Sequence, residues 1–124
     1  VILRQDFIPG ALAPRFGSIL VIPSRYEGFS LSLIEGMSQG LVPISFKVGV
    51  APEIIKNGEN GYLVSGEAEA IKRIRELLAD DEKRTRMANA AQVTARAFTS
   101  EKIARELVAV YSKIRADHRA RRRK

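Results

Sequence analysis

Glu27 and Glu35 are the pair in this 124-residue chain whose type and spacing could do chemistry together. They stand eight positions apart, and the segment between them, Gly28-Phe-Ser-Leu-Ser-Leu-Ile34, reads as the opening of a helix. A carboxylate repels phosphate but accepts hydrogen bonds from vicinal hydroxyls, as acidic residues do with ribose. The amides of Phe29, Ser30 and Leu31 fall where the helix starts, and unpaired N–H groups with the positive end of the helix dipole attract anions there. Gly28, having no Cβ, lets the backbone come close to a ligand. Glu35 lies about five residues into the helix, roughly 7–8 Å along its axis. An anion-holding turn with a hydroxyl-binding carboxylate on each flank matches the composition of a nucleotide-sugar.

The elements that position this turn are read from hydrophobic pattern and punctuation. Ser18 to Pro23 is a short, β-branched apolar run closed by proline, predicted as a strand buried on both faces. The loop from Arg25 to Gly28 follows, then a helix from about Ser30 with Leu31, Ile34 and Met37 on one face and Gly40 as its stop. Leu41 to Phe46 is a second apolar run, completing strand, helix, strand within about thirty residues, which forces a parallel pair. Pro52 to Ile55 reads as a helical turn, Asn57-Gly58 and Asn60-Gly61 as turns, and Tyr62 to Val64 as a third strand. Three amphipathic helices follow Gly66 and are expected to cover this end of the sheet. The first carries Ile71, Ile74, Leu77 and Leu78, and the second is capped by Asp80 or Asp81. The third begins behind Thr99-Ser100 and carries Ile103, Leu107, Val110, Tyr111 and Ile114 in one stripe. The fold class is therefore α/β: a Rossmann-like parallel sheet with flanking helices, spanning residues 1–114, with a basic tail at 115–124.

Together PSRYEGFSLSLIEGMSQG, PISFKVGVAPEII and NGENGYLV resemble the donor-site signature of family 4 glycosyltransferases and their GT-B relatives, from about Ser18 to Ile114. Glu27 and Glu35 match the family's Glu-x7-Glu. The resemblance implies the C-terminal, donor-binding half of a GT-B enzyme that transfers a hexose from a nucleotide-diphosphate sugar with retention. In that reading Glu27 contacts the donor sugar and is the catalytic residue, Glu35 binds the ribose hydroxyls, and Gly28, Phe29, Ser30 and Leu31 hold the donor's phosphates. No cofactor and no metal are implied. Ser30 replaces a second glycine common in the family, Val50 stands where another glycine is usual, and Pro43 falls one place late. The basic residues that neutralise the diphosphate and the acceptor-binding domain precede this region in the family. The segment alone is therefore expected to be inactive, with Arg25 and Lys47 as candidate compensating charges. Glu53 reads first as favouring the start of its helical turn. The alternatives are a non-catalytic nucleotide-sugar-binding module and a GT-B epimerase or phosphorylase.

Composition bounds the rest. The chain is 45% hydrophobic and 28% charged, close to globular averages, and long enough for one core. Of the net charge of +7, residues 115–124 hold +5, so the body is nearly neutral. That tail reads first as a solvated terminus, then as a weak anchor for anionic membranes, and last as a nucleic-acid arm; no aromatic residue interleaves it to stack on bases. With no cysteine there is neither a disulfide nor a thiolate site. The only histidine, His118, lies in the tail, and Ser18, Ser24, Ser32 and Ser38 have no base partner in sequence and read as structural or capping residues. No apolar run reaches the ~18 residues of a spanning helix, and Val1 opens without a signal pattern, as a processed or excised segment would. The expected setting is cytoplasmic, peripheral at most to the inner face of a membrane. The expected partners are a nucleotide-sugar donor and a saccharide, lipid or polysaccharide-precursor acceptor, with no nucleic acid.

Overall fold

The computed structural model describes residues 15–122. Residues 1–14 and 123–124 lie outside the described part, and with them Val1 and the opening of the predicted first unit; the side chain of Ile103 is also outside it. The elements are β1 (Ile19–Ile22), α1 (Leu31–Ser38), β2 (Val42–Phe46), α2 (Ala51–Ile54) and β3 (Tyr62–Val64), then α3 (Glu67–Ala79) and α4 (Asp81–Ala95). A 3-10 turn at Arg96–Phe98 leads into α5 (Ser100–Arg122). The three strands form one parallel sheet in the order β1-β2-β3, as the predicted crossover requires.

Register decides which side chains share a face, because side chains on a strand alternate. Ile19 pairs with Val42 and Ile44 with Tyr62, so Val42, Ile44, Tyr62 and Val64 look to one side. There they meet Ala70 and Leu77 of α3 and Met87 and Ala88 of α4. Ile22 looks to the other side and packs with Leu33 and Met37 of α1, Ala51 and Ile54 of α2, and Ala91 and Ala95 of α4. α4 therefore closes both layers, and its alanines allow close approach. Full burial of side chains such as Leu33 and Met37 contributes about 1.5–3 kcal/mol each.

Three predicted apolar stripes are corrected here. In α1 the buried residues are Leu33, Gly36 and Met37, whereas Leu31 is 64% exposed, because two residues along a helix put Leu31 and Leu33 on opposite sides and the sheet takes the side of Leu33. In α3, Ala70 and Leu77 are buried while Ile71 and Leu78 are at least half exposed; the small Ala70, not Ile71, faces the sheet. In α5, Leu107, Val110, Tyr111 and Ile114 are all exposed, so this helix does not cover the sheet. β1 also differs from its prediction: only Ile22 is buried, and Val21 is 41% exposed, because no described strand pairs with its outer edge.

The helix ends follow local chemistry. Gly40, at φ +77°, terminates α1 while Gly40 N–H donates to Met37 O and Leu41 N–H to Gly36 O, the paired bonds of a Schellman motif. Asp80 caps α4 by accepting from Lys83 N–H at 2.8 Å, and Thr99 Oγ1 accepts from Lys102 N–H at 3.3 Å at the start of α5. The turn before β3 is held by Asn60, fully buried, which accepts from Lys56 N–H and donates to Ile54 O and Thr94 Oγ1.

A polar cluster ties β3 to α3 and α4. Glu76 accepts hydrogen bonds from Tyr62 and Arg73 at 3.0 and 2.9 Å and pairs with Lys83. The Arg73 guanidinium sits 4.5 Å over the Tyr62 ring. Hydrogen bonds from Lys83, then Arg73, hold the Glu76 carboxyl down at about 2 against an ordinary 4.5. Because the folded value is the lower one, the contribution to stability is complete above pH about 4.5 and disappears as pH falls towards about 2. Thermal unfolding measured down this range should show Glu76→Gln less stable than the parent near neutrality, with the two curves converging in acid. Parallel curves would assign the acid loss to other carboxylates.

Candidate functional site

The connection from β1 to α1, residues 23–30, leaves the carboxyl end of the sheet, the side on which open parallel sheets bind ligands. Ser30 ends it as the N-cap of α1, with extended backbone (φ −80°, ψ 92°) and 5% exposure. Its side chain caps nothing; the hydroxyl lies 3.3 Å from that of Ser32. The first turn of α1 thus has neither a side-chain cap nor an acidic residue, and its amides and partial positive charge are left for another acceptor. Phe29 is 51% exposed, and Gly28 and Leu31 are also exposed, so the turn stands at the surface.

The two carboxylates sit on either side of this turn in different settings. Glu27 is partly buried, and its Oε1 accepts a 2.7 Å hydrogen bond from Ser24 Oγ. One carboxylate oxygen is thereby committed, and the side chain is held by a partner three residues earlier. Glu35 is exposed one turn into α1, and its side chain makes no hydrogen bond or ion pair among the described residues. Glu27 is thus fixed, while Glu35 is free to turn towards a ligand.

A second loop determines where the first one lies. Gly49, between β2 and α2, has φ +54°, and a Cβ there would collide with the carbonyl oxygens of Gly28 and Glu27. The β1–α1 loop rests directly on the backbone of the β2–α2 loop, an approach open only to glycine. Val50 adopts ordinary helical angles (φ −80°, ψ −10°), so the position where a glycine was missing carries no strain. Glu53 lies exposed in the first turn of α2, where its charge favours the helix start.

Beside these loops a cleft of about 730 Å³ opens over the ends of β2 and β3, lined among others by Arg25, Lys47, Ser65, Gly66 and Glu67. Arg25 and Lys47, from different loops, reach the same space, and neither forms an ion pair among the described residues. Sequence reasoning missed the Ser24–Glu27 bond, the Gly49 contact and the β3–α3 wall of the cleft. Serine three residues before the carboxylate was a local signal for the first; the other two join distant segments. Among the described residues no group of three His, Asp or Glu side chains could hold a metal ion.

The chain matches the family model described as "Glycosyl transferases group 1" over residues 16–94, from just before β1 to near the end of α4. It belongs to that family. A D-inositol 3-phosphate glycosyltransferase of Streptomyces griseus subsp. griseus is 37% identical over 111 residues, covering 88% of this chain and 24% of the relative. Sucrose-phosphate synthase from Thermosynechococcus elongatus superposes with a TM-score of 0.72 at 30% identity, over 81% of this chain and 26% of that one. Anabaena HepE, solved in complex with UDP-glucose, shares the fold at 24% identity with a TM-score of 0.63, over 75% of this chain and 27% of its own. The chain spans about a quarter to a third of the length of the curated relatives it matches. The parallel sheet with flanking helices is thus part of a GT-B glycosyltransferase fold.

Gly49→Ala tests the loop-on-loop contact. Left-handed backbone and a blocked approach together should cost about 1–3 kcal/mol in urea unfolding. A change below about 0.5 kcal/mol, the range of neutral surface substitutions, would mean that the loops are not held together there.

Proposed function

We propose that this domain binds the donor of a retaining hexosyltransferase, a nucleotide-diphosphate sugar, across the first turn of α1. The observation that carries the reading is the uncapped start of α1, standing between a carboxylate held by Ser24 and a carboxylate free on the helix surface. Membership in the group 1 family and the same fold in a protein crystallised with UDP-glucose support it.

In this reading the amides at the helix start receive the diphosphate, Glu35 accepts the two ribose hydroxyls, and the unpaired oxygen of Glu27 accepts a hydroxyl of the sugar. The bond between the anomeric carbon and the diphosphate oxygen breaks as the acceptor oxygen bonds to the same face of that carbon. The acceptor's proton passes to the departing diphosphate. Negative charge grows on the leaving group, so fixed dipoles aimed at it stabilise the transition state more than the ground state. A helix start supplies only about half a charge against about two on a diphosphate, and Arg25 and Lys47 supply the remainder from the adjoining cleft. The acceptor is held mainly by the rest of a longer polypeptide, and closure over the donor excludes water.

The two carboxylates should separate in binding and kinetics. In a full-length protein carrying this chain, Glu35→Ala should weaken nucleoside diphosphate binding by about tenfold or more, since it removes hydrogen bonds to a charged acceptor. Glu27→Gln should leave that affinity within about twofold while lowering kcat for transfer by about 100-fold, the scale of a lost transition-state contact. Equal effects of both substitutions on nucleotide affinity would refute the division of roles. Ser24→Ala should lower kcat by a smaller factor at unchanged nucleotide affinity, and Ser24→Thr, which keeps the donor hydroxyl, should restore it.

A further inference from the structure

Ser30 is a buried polar residue at the start of α1, 5% exposed and in the N-cap position. A serine there ordinarily accepts a hydrogen bond from an amide two or three residues further on. This one accepts none, and its Oγ meets only the hydroxyl of Ser32, at 3.3 Å, beyond the roughly 3.0 Å at which ordinary O–H···O bonds end. A buried hydroxyl in this state is costly to the fold, and a ligand that supplies a partner offsets that cost.

The backbone at the same place is also short of acceptors. The first amide of α1 to find one is Ile34 N–H, which reaches Ser30 O at a long 3.4 Å, while the N–H groups of Leu31, Ser32 and Leu33 have no acceptor among the described residues. A phosphoryl group can answer a hydroxyl and neighbouring amides together, because its oxygens are strong acceptors of several hydrogen bonds. Capping would use the Ser30 hydroxyl as an acceptor. A phosphate uses it as a donor, and the Ser32 hydroxyl can then donate to Ser30 Oγ and polarise it. A glycine, common at this position in the family, offers the backbone alone.

The order of groups along the chain indicates which phosphate is met. Glu27 precedes Ser30 by three residues, the free amides follow it, and Glu35 stands beyond them, five residues on. In the donor reading Glu27 takes the sugar and Glu35 the ribose, so the N-cap stands at the sugar end of the turn. We infer that the Ser30 hydroxyl donates to the phosphate that bears the sugar, with Ser32 as the positioning residue that orients it. The turn thereby distinguishes a nucleoside diphosphate from a monophosphate by a side chain as well as by amides. This rests on the donor reading of the same turn, and the experiment separates the two.

The test uses a full-length protein carrying this chain, titrated calorimetrically with UDP, GDP and ADP and with the matching monophosphates; the diphosphate bound most tightly defines the pair. Ser30→Ala and Ser30→Gly should each weaken that diphosphate by about tenfold, the scale of a hydrogen bond to a charged group, and leave the monophosphate within about twofold. Ser32→Ala should weaken the diphosphate by a smaller factor, and Ser32→Thr, which keeps a hydroxyl, should restore it. The Tm without ligand should not fall in any of these variants, because the hydroxyl caps nothing in the fold. Equal weakening of diphosphate and monophosphate, or a lowered Tm without ligand, would assign the hydroxyl to the fold and overturn the inference. Unchanged diphosphate affinity in both Ser30 variants, where Glu35→Ala weakens it, would overturn the inference and leave the donor reading standing. A parent protein that binds none of the three diphosphates would remove the donor reading, and the inference with it.

Discussion

The close approach of two loops at the carboxyl end of the sheet is the constraint on which the rest of the site depends. The carbonyls of Glu27 and Gly28 lie against the backbone of Gly49, in space that any side chain at that position would fill. This contact sets where the β1–α1 loop runs, and so where the start of α1 and its free amides point. It also brings Arg25, from the first loop, into the cleft that Lys47 enters from the second. A parallel sheet makes such an arrangement available because successive loops leave the same end of neighbouring strands.

Electrostatics then differentiates groups of similar type. Glu76 is enclosed by Lys83, Arg73 and Tyr62, all donating to it, and serves to join β3 to the two helices that follow. Glu27 is held by one neutral hydroxyl and keeps an oxygen without a described partner. Glu35 has no side-chain partner among the described residues. These carboxylates grade from fully engaged to open, and openness coincides with the uncapped helix start. A structural carboxylate needs its charge compensated within the fold, whereas a ligand-binding one must keep acceptor capacity for what arrives.

The core has the opposite logic. Two layers of apolar side chains enclose the sheet of the three described strands, and α4 joins them through small residues. β1 leaves Val21 partly in solvent and α5 leaves its stripe in solvent. The packed region extends from β1 to the 3-10 turn, nearly coincident with the stretch that matches the family model. The fold is shared with structures of low sequence identity, as a core held by strand register and burial allows.

The order of strands and helices was legible in sequence because each signal is local: β-branched runs closed by Pro23, a helix stopped by Gly40, turns at Asn57-Gly58 and Asn60-Gly61, and Asp80 as a cap. The Glu27 and Glu35 pair with the helix start between them was legible for the same reason, since all three lie within nine residues. Which face of each helix is buried was not, because apolar spacing in α1 and α3 fits more than one stripe, and only packing against the sheet selects Leu33 over Leu31 and Ala70 over Ile71. The stripe of α5 was visible, but its exposure was not, because periodicity reports an apolar face and not whether anything covers it. Sequence by itself determined the elements, their parallel order and the chemistry carried by one short segment. Only the tertiary structure decided the meeting of Gly49 with Glu27 and Gly28, the shared cleft of Arg25 and Lys47, and the burial of Asn60, since these depend on distances between residues far apart along the chain.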